Sequence, residues 1–342
     1  MTNHAYFHTL AENVIAGQQL SRDECQTVLR CPDERVLDLL GATYRVREHF
    51  CGKRVHLHML MNAKSGLCPE DCHYCSQSRI STAEIERYPM VSQQKLLEGA
   101  RQAKEAKCLR YCMVISTRGA TDREVNFVAK AVRAIKEEVD IAICCSMGLI
   151  SEEKARVLYE AGVEQFNHNL NTSERYYPEI CTTHTYQDRI DTLLAARKAG
   201  LKLCTGAIFG QGENEDDIID VALALRELEP QSIPINFLLP MQGTPFADKN
   251  YIRPYDCLRI LCLMRLVNPA QELRVAAGRE VHMRSLQPLA LYAANSVFVS
   301  GYLTTNGQTY QETWQMLADM GFEIDEHVTQ EEENCESEVS TI

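Results

Sequence analysis

Eight short β-rich runs recur between residues 55 and 301 and alternate with amphipathic helical patterns. They are VHLHMLMNA (55–63), LRYCMVIS (109–116), DIAICCSMG (140–148), VEQFNHNLN (163–171), LKLCTGAIFG (201–210), SIPINFLLP (232–240), LRVAAGR (273–279) and SVFVSG (296–301). Between them, segments 92–107, 123–138, 151–162, 185–200 and 215–229 repeat apolar residues at helical spacing, and Gly162 and Gly200 stand where helices stop. Strands that alternate with helices build a parallel sheet covered by those helices. The expected fold is therefore α/β, a TIM-type (β/α)8 barrel, with a doubly wound open sheet as the alternative. Residues 1–53 read as a helical N-terminal extension capped at Ser21 and Asp33, and 54–302 as the barrel. Residues 303–328 read as a segment of short C-terminal helices, and 329–342 as an acidic tail expected to be disordered.

The charge balance, 35 Lys+Arg against 47 Asp+Glu for a net −12, argues against non-specific nucleic-acid binding. No basic n-region precedes an apolar run at the N-terminus, and nothing approaches the roughly 18 apolar residues that span a bilayer. A cytoplasmic protein with no membrane partner is expected. Fifteen cysteines are many for such a protein, and a reducing compartment disfavours disulfides. Some thiols then serve as small buried apolar groups and others bind metal, while Cys25, Cys31 and Cys51 read as core or surface thiols with no assigned role.

Three of them crowd together in SGLCPEDCHYCSQS (65–78), where Cys68, Cys72 and Cys75 make Cys-x3-Cys-x2-Cys. Chance clustering of core cysteines fits poorly, because the stretch is polar, contains Pro69 and follows a strand. Structural zinc wants four closed ligands, usually from paired Cys-x2-Cys units, and His73 beside Cys72 is badly placed to be the fourth. A redox Cys-x2-Cys through Cys72 and Cys75 would want a helix N-terminus, which this loop is not. A [4Fe–4S] cube held at three irons suits the pattern, because the fourth iron then has room for an exogenous ligand.

The motif, with aromatic Tyr74 just before the last cysteine, resembles the signature of the radical S-adenosylmethionine enzymes. In that family the open iron chelates the amino and carboxylate groups of the cofactor. One electron then releases a 5′-deoxyadenosyl radical inside a full or partial α/β barrel. The resemblance implies that Tyr74 contacts the cofactor, and that no side chain serves as an acid or base catalyst.

Other barrel runs carry residues that barrel interiors rarely hold. Cys112 lies on the second, Cys144 and Cys145 on the third, Cys204 on the fifth, and Arg274 near the start of the seventh. An arginine there is costly unless it meets an anion or a metal. A second cluster inside the barrel explains these residues jointly. The set resembles the sulfur-inserting members of the superfamily, over about residues 40–320, through CPEDCHYCSQS, NHNLNTS, CTGAIFGQGE, PINFLLPMQGTP and RVAAGRE. The resemblance implies that Cys112, Cys144, Cys204 and Arg274 hold a [2Fe–2S] sulfur donor. It also implies conversion of dethiobiotin to biotin, an electron donor of flavodoxin or ferredoxin type, and a homodimer. Cys145 faces the other side of its strand.

Asn167, Asn169 and Asn171 fall at i, i+2 and i+4, which puts three amides on one face of the fourth strand. By resemblance, Asn169 and Asn171 contact the cofactor ribose, and Asn169 with Asn236 the ureido ring; many relatives carry Asp where Asn171 stands. Arg189 is matched to a residue near the cofactor carboxylate, although its position reads as the surface of a helix. The GQGE loop (210–213) matches no full nucleotide fingerprint and is assigned to adenine packing. Other barrel enzymes of the superfamily, and a zinc-stabilised binding module, are the competing readings.

Overall fold

The computed structural model describes residues 5–249, 252–305 and 307–326; the acidic tail expected at 329–342 lies outside them. Ten parallel strands run in chain order: β1 Arg54–Lys64, β2 Arg110–Ile115, β3 Ala142–Ser146, β4 Gln165–Asn167, β5 Lys202–Cys204, β6 Ala207–Phe209, β7 Ser232–Phe237, β8 Glu272–Val275, β9 Ser296–Phe298 and β10 Glu323–Asp325. Neighbours pair in sequence, and β9 returns to pair with β1, so the sheet closes into a barrel. The eight expected strands are all present. The fifth is broken at Thr205–Gly206 into β5 and β6, both of which pair with β7.

The covering helices start where a side chain can satisfy their orphan N–H groups. Ser92, Thr121, Ser151, Thr185 and Asn214 each accept from the backbone N–H three residues on, and Glu124, Asp188 and Asp217 complete capping boxes. Gly162 and Gly200 end two of these helices at φ +99° and +96°, a conformation that costs other residues more.

Ahead of the barrel, helices Ala5–Ile15, Arg22–Leu29 and Val36–Cys51 pack on its side, and Ser21 caps the second through a box with Glu24. Asp33 is not a cap. It lies in a 3-10 turn, where its carboxylate pairs with Arg253 and Arg259 instead. Among the described residues after the barrel, one helix, Tyr310–Asp319, stands where short helices are expected, followed by β10, which pairs with Arg54–His56 at the start of β1. Among the described residues no helix is long and apolar enough to cross a membrane.

β10 brings Asp325 to 3.8 Å from His56, whose other ring nitrogen is 3.1 Å from Glu272 of β8. Burial works most strongly on this imidazole and pushes its pKa down, but the bonds to Asp325 and Glu272 prevail and raise it to about 9. His56 is thus protonated in the folded chain at neutral pH, whereas an unfolded histidine titrates near 6.5. Its stabilisation is complete below about pH 6.5 and disappears as pH rises through about 9. Denaturant unfolding followed across this interval is expected to lose up to about 3 kcal/mol, and the His56→Gln chain should lose much less over the same interval.

Candidate active site

Alternation along the strands decides what faces the barrel axis. On β1, Met59 and Met61 pack outward against the helices, while Leu60 meets the sulfurs of Cys112, Cys144 and Cys204 in a separate buried group. Registry aligns the same parity from strand to strand: Leu60 with Cys112, Cys112 with Cys144, and Asn167 with Cys204. Cys145 has the opposite parity and lies in the outer apolar core. The three inward thiols therefore share one level of the barrel. Above them opens a cavity of about 260 Å³, lined in part by Tyr74, Cys75, Cys112, Asn169, Asn236 and Arg274.

Arg274 approaches this thiol level from below. Its Nε donates to Ser296 Oγ (3.1 Å), and its Nη2 serves Ser232 Oγ (2.7 Å), His58 and Glu272. That leaves Nη1 toward Cys204 Sγ, 3.7 Å away, while Asn167 Nδ2 donates to the same sulfur at 3.2 Å. Glu272 gathers the surrounding polar groups: its carboxylate meets Arg274, Ser232, His56, His58 and, at 3.6 Å, Arg110. Burial opposes its charge most strongly, yet the facing His58 and Arg274 and the bond from His56 hold its carboxyl well below the usual range.

The sequence reading did not single out His58, Ser232, Glu272 or Ser296. The available signal was parity: His56 and His58 fall in step with Leu60, and Glu272 with Arg274.

The loop after β1 carries Cys68, Cys72 and Cys75, and of these Cys75 lines the cavity. Gln77 pins it, its Oε1 accepting from Gly66 N–H (2.9 Å) and from Asn62 Nδ2 of β1 (3.3 Å). His73 is tied elsewhere, its Nδ1 at 2.9 Å from the Glu179 carbonyl. The metal fit follows from the donors. Burial pushes Cys68 up to about 11 and Cys75 above its ordinary value; the bond with Cys181 and burial do the same to Cys72. Deeper in the barrel, burial raises Cys144, and the bond with Cys144 followed by burial raises Cys204. Such thiols ionise when a metal cation takes the place of the proton. Cys112, Cys144 and Cys204 form one buried group of such donors, and among the described residues Cys72, Cys181 and His184 bring ligand atoms within 4.8 Å of one another.

The asparagines depart from the expected geometry. β4 ends at Asn167, so the three amides do not share one strand face. Asn171 sits at φ +71° and donates to Tyr74 Oη at 2.6 Å, and all three nevertheless line the cavity together with His168. The left-handed turn swings Asn171 across to the loop after β1, where a straight strand would have carried it onward.

Arg189 is not a solvated helix residue. It is 7% exposed, donates to the Asn169 carbonyl (2.8 Å), His184 (2.9 Å) and Tyr177, and lines the cavity. Residues 210–213 do not line it; the Glu213 carboxylate already accepts from the N–H groups of Gly210 (2.6 Å) and Gln211 (2.7 Å).

A closed parallel barrel with a three-thiol loop after its first strand defines a class. A model described as the Radical SAM superfamily matches residues 64–225, and the Biotin and Thiamin Synthesis associated domain matches 234–323. Methylornithine synthase superposes with a TM-score of 0.81 at 20% identity, over 95% of this chain and 99% of its own. An FeFe-hydrogenase maturase from Carboxydothermus hydrogenoformans does so with a TM-score of 0.81 at 18% identity, over 94% and 80%. At such identities the likeness concerns the fold. Among curated relatives, the biotin synthase of Bacillus subtilis (strain 168) is 50% identical over 316 residues, 92% of this chain and 94% of its own. That of Geobacillus kaustophilus (strain HTA426) is 49% identical over 316 residues, 92% and 95%. The chain is a radical S-adenosylmethionine protein. Within that class it belongs to the biotin synthase family.

Removing the charge of Glu272 leaves two buried arginines facing an amide. Glu272→Gln is expected to cost about 3–5 kcal/mol, read from the midpoint of urea unfolding, whereas Ser232→Ala costs about 1 kcal/mol. Equal losses would mean that the carboxylate does not anchor the group.

Proposed function

We propose that this chain inserts sulfur into dethiobiotin to form biotin, with Cys68, Cys72 and Cys75 holding a [4Fe–4S] cluster and Cys112, Cys144, Cys204 and Arg274 a [2Fe–2S] cluster. The observation that carries the reading is the convergence of three inward thiols and one guanidinium nitrogen directly beneath a cavity whose mouth is the three-thiol loop. When bound, the first cluster with S-adenosylmethionine supplies a 5′-deoxyadenosyl radical, and the second supplies sulfide.

The chain's part is to bind, orient and exclude water. Asn169 Oδ1 is engaged by the Gly206 N–H at 3.2 Å, so its amide NH₂ is the end offered to the ureido carbonyl. Asn236 donates to the Ala207 carbonyl (3.1 Å) and accepts from the Ala277 N–H (3.2 Å), which fixes its plane; one further N–H and one lone pair face the ring. Tyr74 and Asn171 support the cofactor ribose through their mutual bond, and Asn171 does so as a neutral donor. Arg189, locked by His184 and the Asn169 carbonyl, presents positive charge to the cofactor carboxylate. Leu60, Phe298 and Leu238 supply apolar wall, which keeps stray hydrogen donors from the carbon radical. A flavodoxin or ferredoxin supplies electrons to a homodimer. A reducing cytoplasm suits a chain whose fourteen described cysteines are all free.

Three replacements separate the roles. Cys72→Ala is expected to abolish 5′-deoxyadenosine formation under reducing anaerobic conditions. Cys204→Ala should keep that cleavage and stop biotin production, and Cys145→Ala should keep both, since its sulfur points into the outer core. Biotin formed at normal yield by the Cys204 variant would rule out the sulfur-donor assignment.

A further inference from the structure

One thiol of the loop group also meets a cysteine that belongs to neither three-thiol group. Cys72 Sγ is 3.7 Å from Cys181 Sγ, although 109 residues separate them, and both are buried with Tyr177, Ile180, Leu238 and Phe246. The two backbones are fastened together. His73 N–H donates to the Ile180 carbonyl (2.9 Å), and Asp71 Oδ1 accepts from the N–H groups of Thr182 (2.9 Å) and Thr183 (3.2 Å). Cys181 is itself held by Asp71 Oδ1 (3.2 Å) and His184 Nδ1 (3.2 Å). The radical chemistry described above assigns nothing to Cys181. The sulfurs stand about 1.7 Å farther apart than the roughly 2.05 Å of a disulfide.

We propose that Cys181 is a resolving thiol for Cys72, forming a reversible disulfide with it when the chain lacks its iron and meets a peroxide. In the first step the Cys72 sulfur attacks one peroxide oxygen; the O–O bond breaks, a sulfenic acid forms and one water leaves. Cys181 then attacks that sulfur; the S–S bond forms, the S–O bond breaks and a second water leaves. Two thiols lose two electrons and two protons, and one hydrogen peroxide becomes two waters. Without a partner at this distance the sulfenic acid proceeds to sulfinic and sulfonic acids, which reduction by thiols does not reverse. The disulfide thus preserves a cysteine needed for reloading. Iron as the protecting factor rests on Cys72 being a ligand of the first cluster; the pairing of the two sulfurs does not.

The test treats the full chain, made iron-free by anaerobic chelation, with hydrogen peroxide, followed by alkylation, digestion and mass spectrometry. A peptide pair joined through Cys72 and Cys181 is expected, and dithiothreitol should restore both thiols. In Cys181→Ser the pair is lost and Cys72 carries two or three added oxygens that dithiothreitol does not remove. Iron bound after reduction and reloading then falls to a fraction of that in the parent chain treated alike. Cys181→Ala, which keeps an apolar group at this site, should repeat the result. Joining of Cys72 to Cys68 or Cys75 in the parent chain, or equal irreversible oxidation of Cys72 with and without Cys181, overturns the proposal. In the chain reloaded with iron and sulfide the joined pair should be suppressed. Equal yields in the loaded and iron-free chains would overturn iron loss as the trigger and count against Cys72 as a ligand, with the sulfur pairing itself read separately.

Discussion

The carboxylate of Glu272 makes the interior of this barrel possible. An arginine with three thiols above it would be an isolated buried charge, which by itself costs several kcal/mol. Glu272 supplies the counter-charge on the same strand, two residues earlier and therefore on the same inward face. The carboxylate also reaches His56 on β1 and Arg110 on β2, neither of which pairs with β8, so a single buried anion ties three staves of the barrel together. With two nitrogens of Arg274 bound to Ser296 and to the Glu272 group, the third is left facing Cys204. A positive group thus faces sulfur in a position that no loop could hold as rigidly.

The barrel is layered accordingly. A charged floor of Glu272, His56 and Arg110 supports a level of thiols and Arg274, and above that lies a cavity walled by amides and apolar side chains. The three-thiol loop closes the top, and its anchors come from both directions. Gln77 fastens it to β1, and Asp71 and His73 fasten it to the turn at 179–183. Radical chemistry requires its reacting atoms to be held still, and this double anchoring is how the chain meets that demand.

Much of this could be read before any coordinates. The eight strands followed from alternation with helices, and the separation of Cys144 from Cys145 followed from a period of two. Local geometry was read less well where the chain leaves regular structure. β4 stops at Asn167 and a left-handed residue redirects Asn171, which no pattern of three amides reveals. Asp33 has the chemistry of a cap, but two arginines more than 200 residues away draw it into ion pairs.

By itself, then, the sequence determined the class of fold, the inward parity of the barrel thiols and the three closely spaced cysteines on the loop after β1. Each of these depends on spacing along one segment. Only the tertiary structure decided that Arg189 is buried against Tyr177 and His184, that Glu272 meets His58, and that Cys181 lies against Cys72. Those contacts arise when the barrel closes and brings distant loops to one end. Residue periodicity carries no record of which loops will meet there.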